Sequence, residues 1–327
     1  MEANLADLFE YAADTFGDRE YLVAGNERRT YRDVERRANR LAHHLEARGV
    51  QPGQHVGIYA YNSAAWVEAL WAVFKLRAVW ININYRYVAD ELRHVFANAD
   101  LVGLIYARRF GRRVAEVADV LGDMSFSVRI EDGSGEDDPV RDAEDYETVV
   151  AAHSDQRDFG PRSGDDRYIL YTGGTTGLPK GVVWRHEDVF YALGGGINAM
   201  TNVRVDDPGD VVRNGAANAE PVTFFPLAPL MHGASQWGVM GQGFQGNRVV
   251  LLDRFEAHDV WRLVERERVN VLFITGDAMA RPLVEALDDA GSAYDTSSLL
   301  AVTSTAALFS PAVKDEFFRH FPNLVMT

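Results

Sequence analysis

Apolar positions recur along the chain with two alternating periods. Thr30-Tyr31-Arg32-Asp33 forms a capping-box pattern, after which Val34, Ala38, Leu41 and Leu45 return on one helical face until Gly49. Residues 56–60 read as a short buried strand. Ser63 caps a helix predicted to run to Leu76, and residues 79–83 form the next strand. Leu92, Val95, Phe96 and Ala99 again have helical spacing, and 101–106 reads as a strand. Strands alternating with helices predict an α/β fold of mostly parallel sheets covered by helices on both faces.

The pattern is interrupted over 131–166. An acidic run, Glu131-Asp132-Gly133-Ser134-Gly135-Glu136-Asp137-Asp138, is followed by a polar stretch with Gly and Pro. An acidic run of this kind reads as a solvated loop. The boundary predicted here divides the chain into subdomains 1–165 and 166–327. Beyond it, strands are predicted at 168–172, 222–226, 248–252, 269–275 and 299–304. Ser310 caps a further helix with Pro311 at its first position. The polar segment 201–219 is predicted to be a loop. Residues 324–327 read as a buried strand on which the chain stops, so a fragment of a longer protein is expected.

Composition narrows the chemistry. The 327 residues hold 33 Lys+Arg against 48 Asp+Glu, a formal charge of −15. That balance argues against nucleic acid as the main partner, which needs clustered cations, but leaves room for a nucleotide at a local positive site. There is no cysteine, which excludes disulfides, thiolate metal sites and a cysteine nucleophile. The start lacks a signal-peptide layout. The apolar stretch 64–79 is broken by Glu68, Lys75 and Arg77, too short and too charged to span a bilayer. A cytoplasmic protein is expected.

Chemistry concentrates after the strand at 168–171, in Thr172-Gly173-Gly174-Thr175-Thr176-Gly177-Leu178-Pro179-Lys180-Gly181. Four glycines let backbone N–H groups approach a ligand, three threonines add hydroxyls, and Lys180 adds a compact charge. Such a loop suits phosphate oxygens. It is not a Walker A loop, because Lys180 is followed by Gly181 rather than Ser or Thr. The bland alternative is a Gly/Thr-rich hairpin turn. Two decoys fail on context. Gly194-Gly195-Gly196-Ile197-Asn198-Ala199 follows a helical segment where a dinucleotide fingerprint needs a strand, and Gly233-Ala234-Ser235-Gln236-Trp237 lacks the second glycine of a nucleophile elbow. His43-His44 cannot both face one metal on a helix.

Residues 171–181 resemble the signature loop of the adenylate-forming superfamily, which includes acyl-CoA synthetases, luciferases and peptide-synthetase adenylation domains. Thr30-Tyr31-Arg32-Asp33-Val34, Asn82-Ile83-Asn84-Tyr85-Arg86 with Glu91-Leu92, and Pro226-Leu227-Ala228-Pro229-Leu230-Met231-His232-Gly233 resemble its other landmarks in order. Thr172-Gly173-Gly174 and the stretch Val183-Trp184-Arg185-His186-Glu187-Asp188 are most similar to actinobacterial fatty acyl-CoA synthetases. The resemblance implies two helix-flanked sheets side by side, the N-terminal domain of such an enzyme. The chain would end before the family's Thr/Glu motif and lack the C-terminal lobe.

The resemblance also implies a reaction: ATP-dependent activation of an apolar, fatty-type carboxylic acid to an acyl-adenylate, then to a thioester with coenzyme A. Lys180, Thr172 and His232 would be the catalytic set. Thr172 would hold magnesium and phosphate, with Gly173, Gly174, Thr175, Thr176, Gly177 and Lys180 around the phosphates. Thr303, Ser304, Thr305 and Ala306 lie where the family passes its backbone across adenine, although the family usually has glycines there. Trp237, Met240, Gly241 and Phe244, at helical spacing after His232, would border the acyl tunnel as well as reading as core. Two rival readings are an adenylation module that loads a carrier-protein thiol and a truncated, inert nucleotide- or acyl-binding domain. Self-association into a homodimer is left open. Thioester formation by this chain alone is not expected.

Overall fold

The computed structural model describes residues 1–122, 124–173, 177–198, 202–290 and 294–327. Two seven-stranded sheets carry the chain. The first has the order β7-β6-β5-β3-β4-β8-β9, formed by β3 (His55–Tyr59), β4 (Val79–Asn82), β5 (Leu101–Ala107), β6 (Phe126–Ile130), β7 (Glu144–Asp145), β8 (Arg167–Thr172) and β9 (Lys180–Arg185). The second runs β14-β13-β12-β10-β11-β1-β2, formed by β1 (Glu20–Ala24), β2 (Glu27–Thr30), β10 (Thr223–Pro226), β11 (Arg248–Leu251), β12 (Val271–Ile274), β13 (Ala301–Ser304) and β14 (Val325–Met326). All pairings are parallel except β1–β2 and β8–β9. This is the expected architecture.

The sheets do not divide at residue 165. β1 pairs with β11, and β8 pairs with β4, so each sheet draws strands from both sides of the expected boundary.

A shared helical layer joins the sheets: α1 (Leu5–Phe16), α2 (Tyr31–Ala47) and α3 (Ala64–Lys75), with α4 (Ala89–Asn98), α5 (Gly111–Ala115), α6 (Tyr146–Ala152), α7 (His186–Leu193) and α8 (Asp210–Ala217) following before α9 (Gly233–Phe244) joins that layer. Phe9 of α1 stacks on Trp71 of α3 at 4.3 Å, and Trp71 meets Phe244 of α9 at 6.0 Å. Outside the second sheet, α10 (Ala257–Glu267), α11 (Asp277–Ala290) and α12 (Pro311–His320) bury a separate cluster around Trp261, Leu272 and Phe317.

Every residue of α3 is buried, which explains its near-continuous apolar sequence. Its two charges are neutralised by neighbouring elements. Glu68 takes Arg37 at 2.8 Å and the Tyr146 hydroxyl at 2.8 Å, and Lys75 takes Glu10 at 2.7 Å and Glu35 at 2.9 Å. Among the described residues no helix is long and apolar enough to cross a membrane.

Three local expectations change. The polar segment 201–219 contains α8: Asp207 accepts from Gly209 N–H, and Val211 and Val212 are buried. Two adjacent valines within polar surroundings left too weak a period to read. The acidic run at 131–138 is tied down as well as solvated, with Arg109 on Asp132 and the Tyr106 hydroxyl on Asp138 at 2.7 Å. At the chain end Leu324 is buried, but β14 is an edge strand and Val325 is 58% exposed.

Candidate functional site

Residues just past the carboxyl ends of both sheets are hydrogen-bonded to one another, so the two edges share a cleft. Asn62, beyond β3, donates to Leu252 O beyond β11 at 2.9 Å and accepts from Leu230 N–H at 2.7 Å. Asn82, the last residue of β4, does more. It accepts from Tyr171 N–H at 2.7 Å and donates to Tyr171 O at 3.0 Å and to Met231 O at 2.7 Å. The β4–β8 backbone register is recorded at Ile81 and Ile169. Just past it, the Asn82 side-chain amide pairs with Tyr171 as a backbone amide would. It thereby ties the strand that enters the Gly/Thr loop to the residue preceding His232. A cleft at the carboxyl ends of parallel strands is where open α/β sheets take ligands.

The Gly/Thr loop joins β8 to antiparallel β9. Thr172 faces Lys180 across the ladder, and directly opposed residues project to the same face. Thr172, Gly173, Gly177 and Lys180 are exposed, whereas Gly174, Thr175 and Thr176 lie outside the described residues. Two α4 side chains hold the hairpin base: the His94 ring contacts Pro179 O at 2.9 Å, and Tyr171 OH donates to Asn98 at 2.7 Å. Among the described residues Lys180 has no carboxylate partner, although acids outnumber bases in the chain. β8 and β9 thus form an antiparallel pair that exposes Lys180 beside the Thr172 hydroxyl.

His232 is the N-cap of α9, and its side chain makes no cap bond. Solvent reaches it, yet the surrounding protein, and then the Arg86 guanidinium, lower its pKa. A neutral imidazole is therefore favoured. Gly233 lets the start of α9 approach β8, since a Cβ there would meet Leu170 Cδ2 at 2.7 Å.

Thr303 and Ser304 end β13 on the same edge, separated from β10 only by β12. Ser304 Oγ accepts from Gly276 N–H at 3.0 Å, and Thr305 N–H donates to Ile274 O at 3.3 Å. Ala306 has φ of 64°, the left-handed region that favours glycine. The backbone here takes a glycine-type conformation with the smallest side chain that carries a Cβ.

The four residues proposed for the acyl tunnel separate. Trp237 and Gly241, four apart on α9, line a cavity of about 620 Å³ bounded also by Tyr191, Leu193, Val205 and Val211. Met240 and Phe244 belong to the same broad face but do not line this cavity. Both are fully buried in the shared core, where Phe244 packs against Phe190 and Trp71. His232 does not line this cavity. Gly241 serves a close approach, since its Cβ would meet Gly194 O at 3.3 Å. Gly194 itself caps α7, consistent with rejecting a dinucleotide fingerprint there. Sequence reasoning missed the roles of Asn82 and Asn62. The available signal was an amide residue directly after an apolar strand.

Among the described residues no group of three His, Cys, Asp or Glu side chains could hold a metal. Thr172 supplies one neutral oxygen, which is too little for a magnesium site on its own.

Comparison with known proteins shows the family and the fold. The family model described as "AMP-binding enzyme" matches residues 9–327. The 3-oxocholest-4-en-26-oate–CoA ligase of Rhodococcus rhodochrous is 47% identical over 100% of this chain and 60% of its own length. A medium/long-chain-fatty-acid–CoA/3-oxocholest-4-en-26-oate–CoA ligase of Mycobacterium tuberculosis is 45% identical over 99% of the chain and 59% of its own length. This chain thus spans about 60% of these curated relatives. The inhibitor-bound N-terminal domain of FACL13 from Mycobacterium tuberculosis has the same fold, with a TM-score of 0.78 at 23% identity, covering 100% of this chain and 75% of that one.

Proposed function

Because the chain belongs to the AMP-binding enzyme family, we propose that it is the nucleotide- and acid-binding part of an acyl-CoA synthetase acting on an apolar carboxylic acid. Fatty acids and steroid side-chain acids are the two candidate classes, as named for the relatives. The observation that carries the reading is the Asn82 clamp, which joins the Lys180 hairpin to the start of the cavity-lining helix.

A carboxylate is a poor acyl donor because oxide is a poor leaving group. In this reading its oxygen attacks the α-phosphorus of ATP, the bond to pyrophosphate breaks, and an acyl-adenylate forms. The coenzyme A thiol then displaces AMP. Charge grows on the departing pyrophosphate, where Lys180, the Thr172 hydroxyl and the N–H groups of Gly173 and Gly177 would receive it. The Thr303–Ala306 backbone would lie against the base, because a small residue in a left-handed conformation lets a flat ring approach. Neutral His232 would sit between the phosphate hairpin and the acid, able to hydrogen-bond an oxygen without adding a fixed charge. The cavity beside Trp237 and Gly241 would hold the apolar tail. Magnesium would neutralise phosphate charge, held chiefly by the nucleotide itself with Thr172 as one oxygen ligand.

The test is acid-dependent ATP–pyrophosphate exchange by this chain extended to the length of its relatives. An apolar acid should drive exchange, and Lys180→Ala should slow it by roughly 10²-fold, the scale of losing one preorganised donor. Exchange that ignores the acid, or survives Lys180→Ala unchanged, overturns the reading.

A further inference from the structure

The cavity along α9 is lined by two kinds of side chain. Tyr191, Leu193, Val211 and Trp237 are apolar, whereas Asn214, Asn218, Gln242, Gln245 and Asn247 are amides. Gln242 lies ten residues beyond His232, about 15 Å along a helix axis. A saturated hydrocarbon tail has nothing to offer an amide at that depth.

The amide orientation is set by a relay. Val222 N–H donates to Asn247 Oδ1 at 2.8 Å, which fixes the Asn247 carbonyl and leaves its NH₂ as donor. That NH₂ donates to Gln242 Oε1 at 2.7 Å. The Gln242 oxygen is therefore engaged, and its NH₂ is the end left over. Among the described residues Gln242 Nε2 has no hydrogen-bond partner, and Gln242 lines the cavity. Asn247 is itself 5% exposed, and its backbone carbonyl accepts from the Tyr31 hydroxyl at 2.7 Å, so the relay is anchored in the core.

We propose that Gln242 is a specificity residue that donates a hydrogen bond to an acceptor oxygen at the end of the substrate remote from its carboxylate. The favoured substrate class is then an apolar acid with a distal carbonyl, rather than a plain fatty acid. A 3-oxo steroid acid has that form, with carboxylate and ketone at opposite ends of the skeleton. This rests on the cavity being the acid site of the proposed function.

The experiment is calorimetric titration of the 327-residue chain with 3-oxocholest-4-en-26-oic acid, with cholest-4-en-26-oic acid lacking the ketone, and with palmitic acid. The wild type should bind the oxo acid about tenfold more tightly than its deoxo analogue, the effect of one partly buried hydrogen bond. Gln242→Leu should bring that ratio close to one while leaving deoxo affinity within about twofold. Gln242→Glu, which replaces the donor by an oxygen, should bring the ratio below one. A general structural defect would weaken both steroid acids together and leave the ratio unmoved. If both acids bind but the wild type does not distinguish them, or Gln242→Leu preserves the preference, the inference fails and the acid site stands. If none of the three acids binds, the acid-site reading fails and takes the inference with it.

Discussion

Replacing Asn82 by leucine isolates the clamp that carries the functional reading. The side chain is 2% exposed and makes three hydrogen bonds, two to the Tyr171 backbone and one to Met231 O. Leucine has similar bulk and can make none of them. Each buried group left without a partner costs about 1 kcal/mol or more, so a loss of about 3 kcal/mol is expected. In a protein of this size that is a fall in Tm on the order of 5 °C. Stability alone would not make the point. The same change frees the hairpin that presents Thr172 and Lys180, so ATP affinity should fall about tenfold under conditions where the variant is still folded, because less of the population holds the binding geometry. Asn270→Leu is the matched control. Asn270 accepts from Thr223 N–H at 2.8 Å and donates to Ser298 O at 3.1 Å, at the opposite edge of the second sheet. It should lose comparable stability and retain ATP affinity. Urea unfolding and nucleotide titration of both variants decide the matter. Unchanged ATP affinity in Asn82→Leu, or an equal loss in Asn270→Leu, refutes the idea that this amide couples the sheets into one site.

Lys180→Ala should leave unfolding free energy within about 0.5 kcal/mol, since the side chain is exposed and has no ion-pair partner among the described residues, so its effect on ATP titration will read binding alone. Met240→Ala should cost about 2–5 kcal/mol without altering which acids bind, whereas Trp237→Ala should enlarge the cavity and favour bulkier acids; urea unfolding and acid titration separate the two. His186 is fully buried, and burial pushes its pKa from 6.5 down to about 3. The unfolded chain therefore takes up a proton that the folded chain refuses, and stability is lost as pH falls below 6.5. Between about pH 6 and pH 5 the wild type should lose about 1 kcal/mol more than His186→Phe in urea unfolding, and equal slopes would contradict this. Lys75→Met should cost about 1–3 kcal/mol in urea unfolding, because Glu10 and Glu35 lose a buried cation but keep Arg162 and Arg157.

The alternation of buried strands and amphipathic helices was legible because burial on both faces makes β3, β4 and β5 short apolar runs, and because Thr30, Ser63 and Ser310 each cap a helix as their side chains predict. Sheet membership was not legible. β1 joins a strand more than 220 residues later, and no local pattern encodes such a partner. The Lys180 loop was visible as composition, but its hairpin form came from the antiparallel return of β9, whose exposed valines give no clean alternation. On α9, helical spacing picked out four apolar positions without saying which neighbour lay on which side. Packing sent Met240 and Phe244 to the core and left Trp237 and Gly241 on the cavity. Asn247 and Gln242 were silent, and the contacts of Asn82 were not legible, for a further reason. An amide acquires meaning from the backbone groups it meets, and those lie in other elements.

If the Lys180 hairpin and the α9 cavity form one site for a nucleotide and an apolar acid, a stable acyl-adenylate analogue, a fatty acyl chain joined to adenosine through a sulfamate, should bind the 327-residue chain more tightly than either half alone. Both ATP and free fatty acid should displace the analogue, and Lys180→Ala should weaken displacement by ATP while leaving displacement by the acid intact. Displacement by only one of the two, or simultaneous binding of the analogue with either, would contradict the single site.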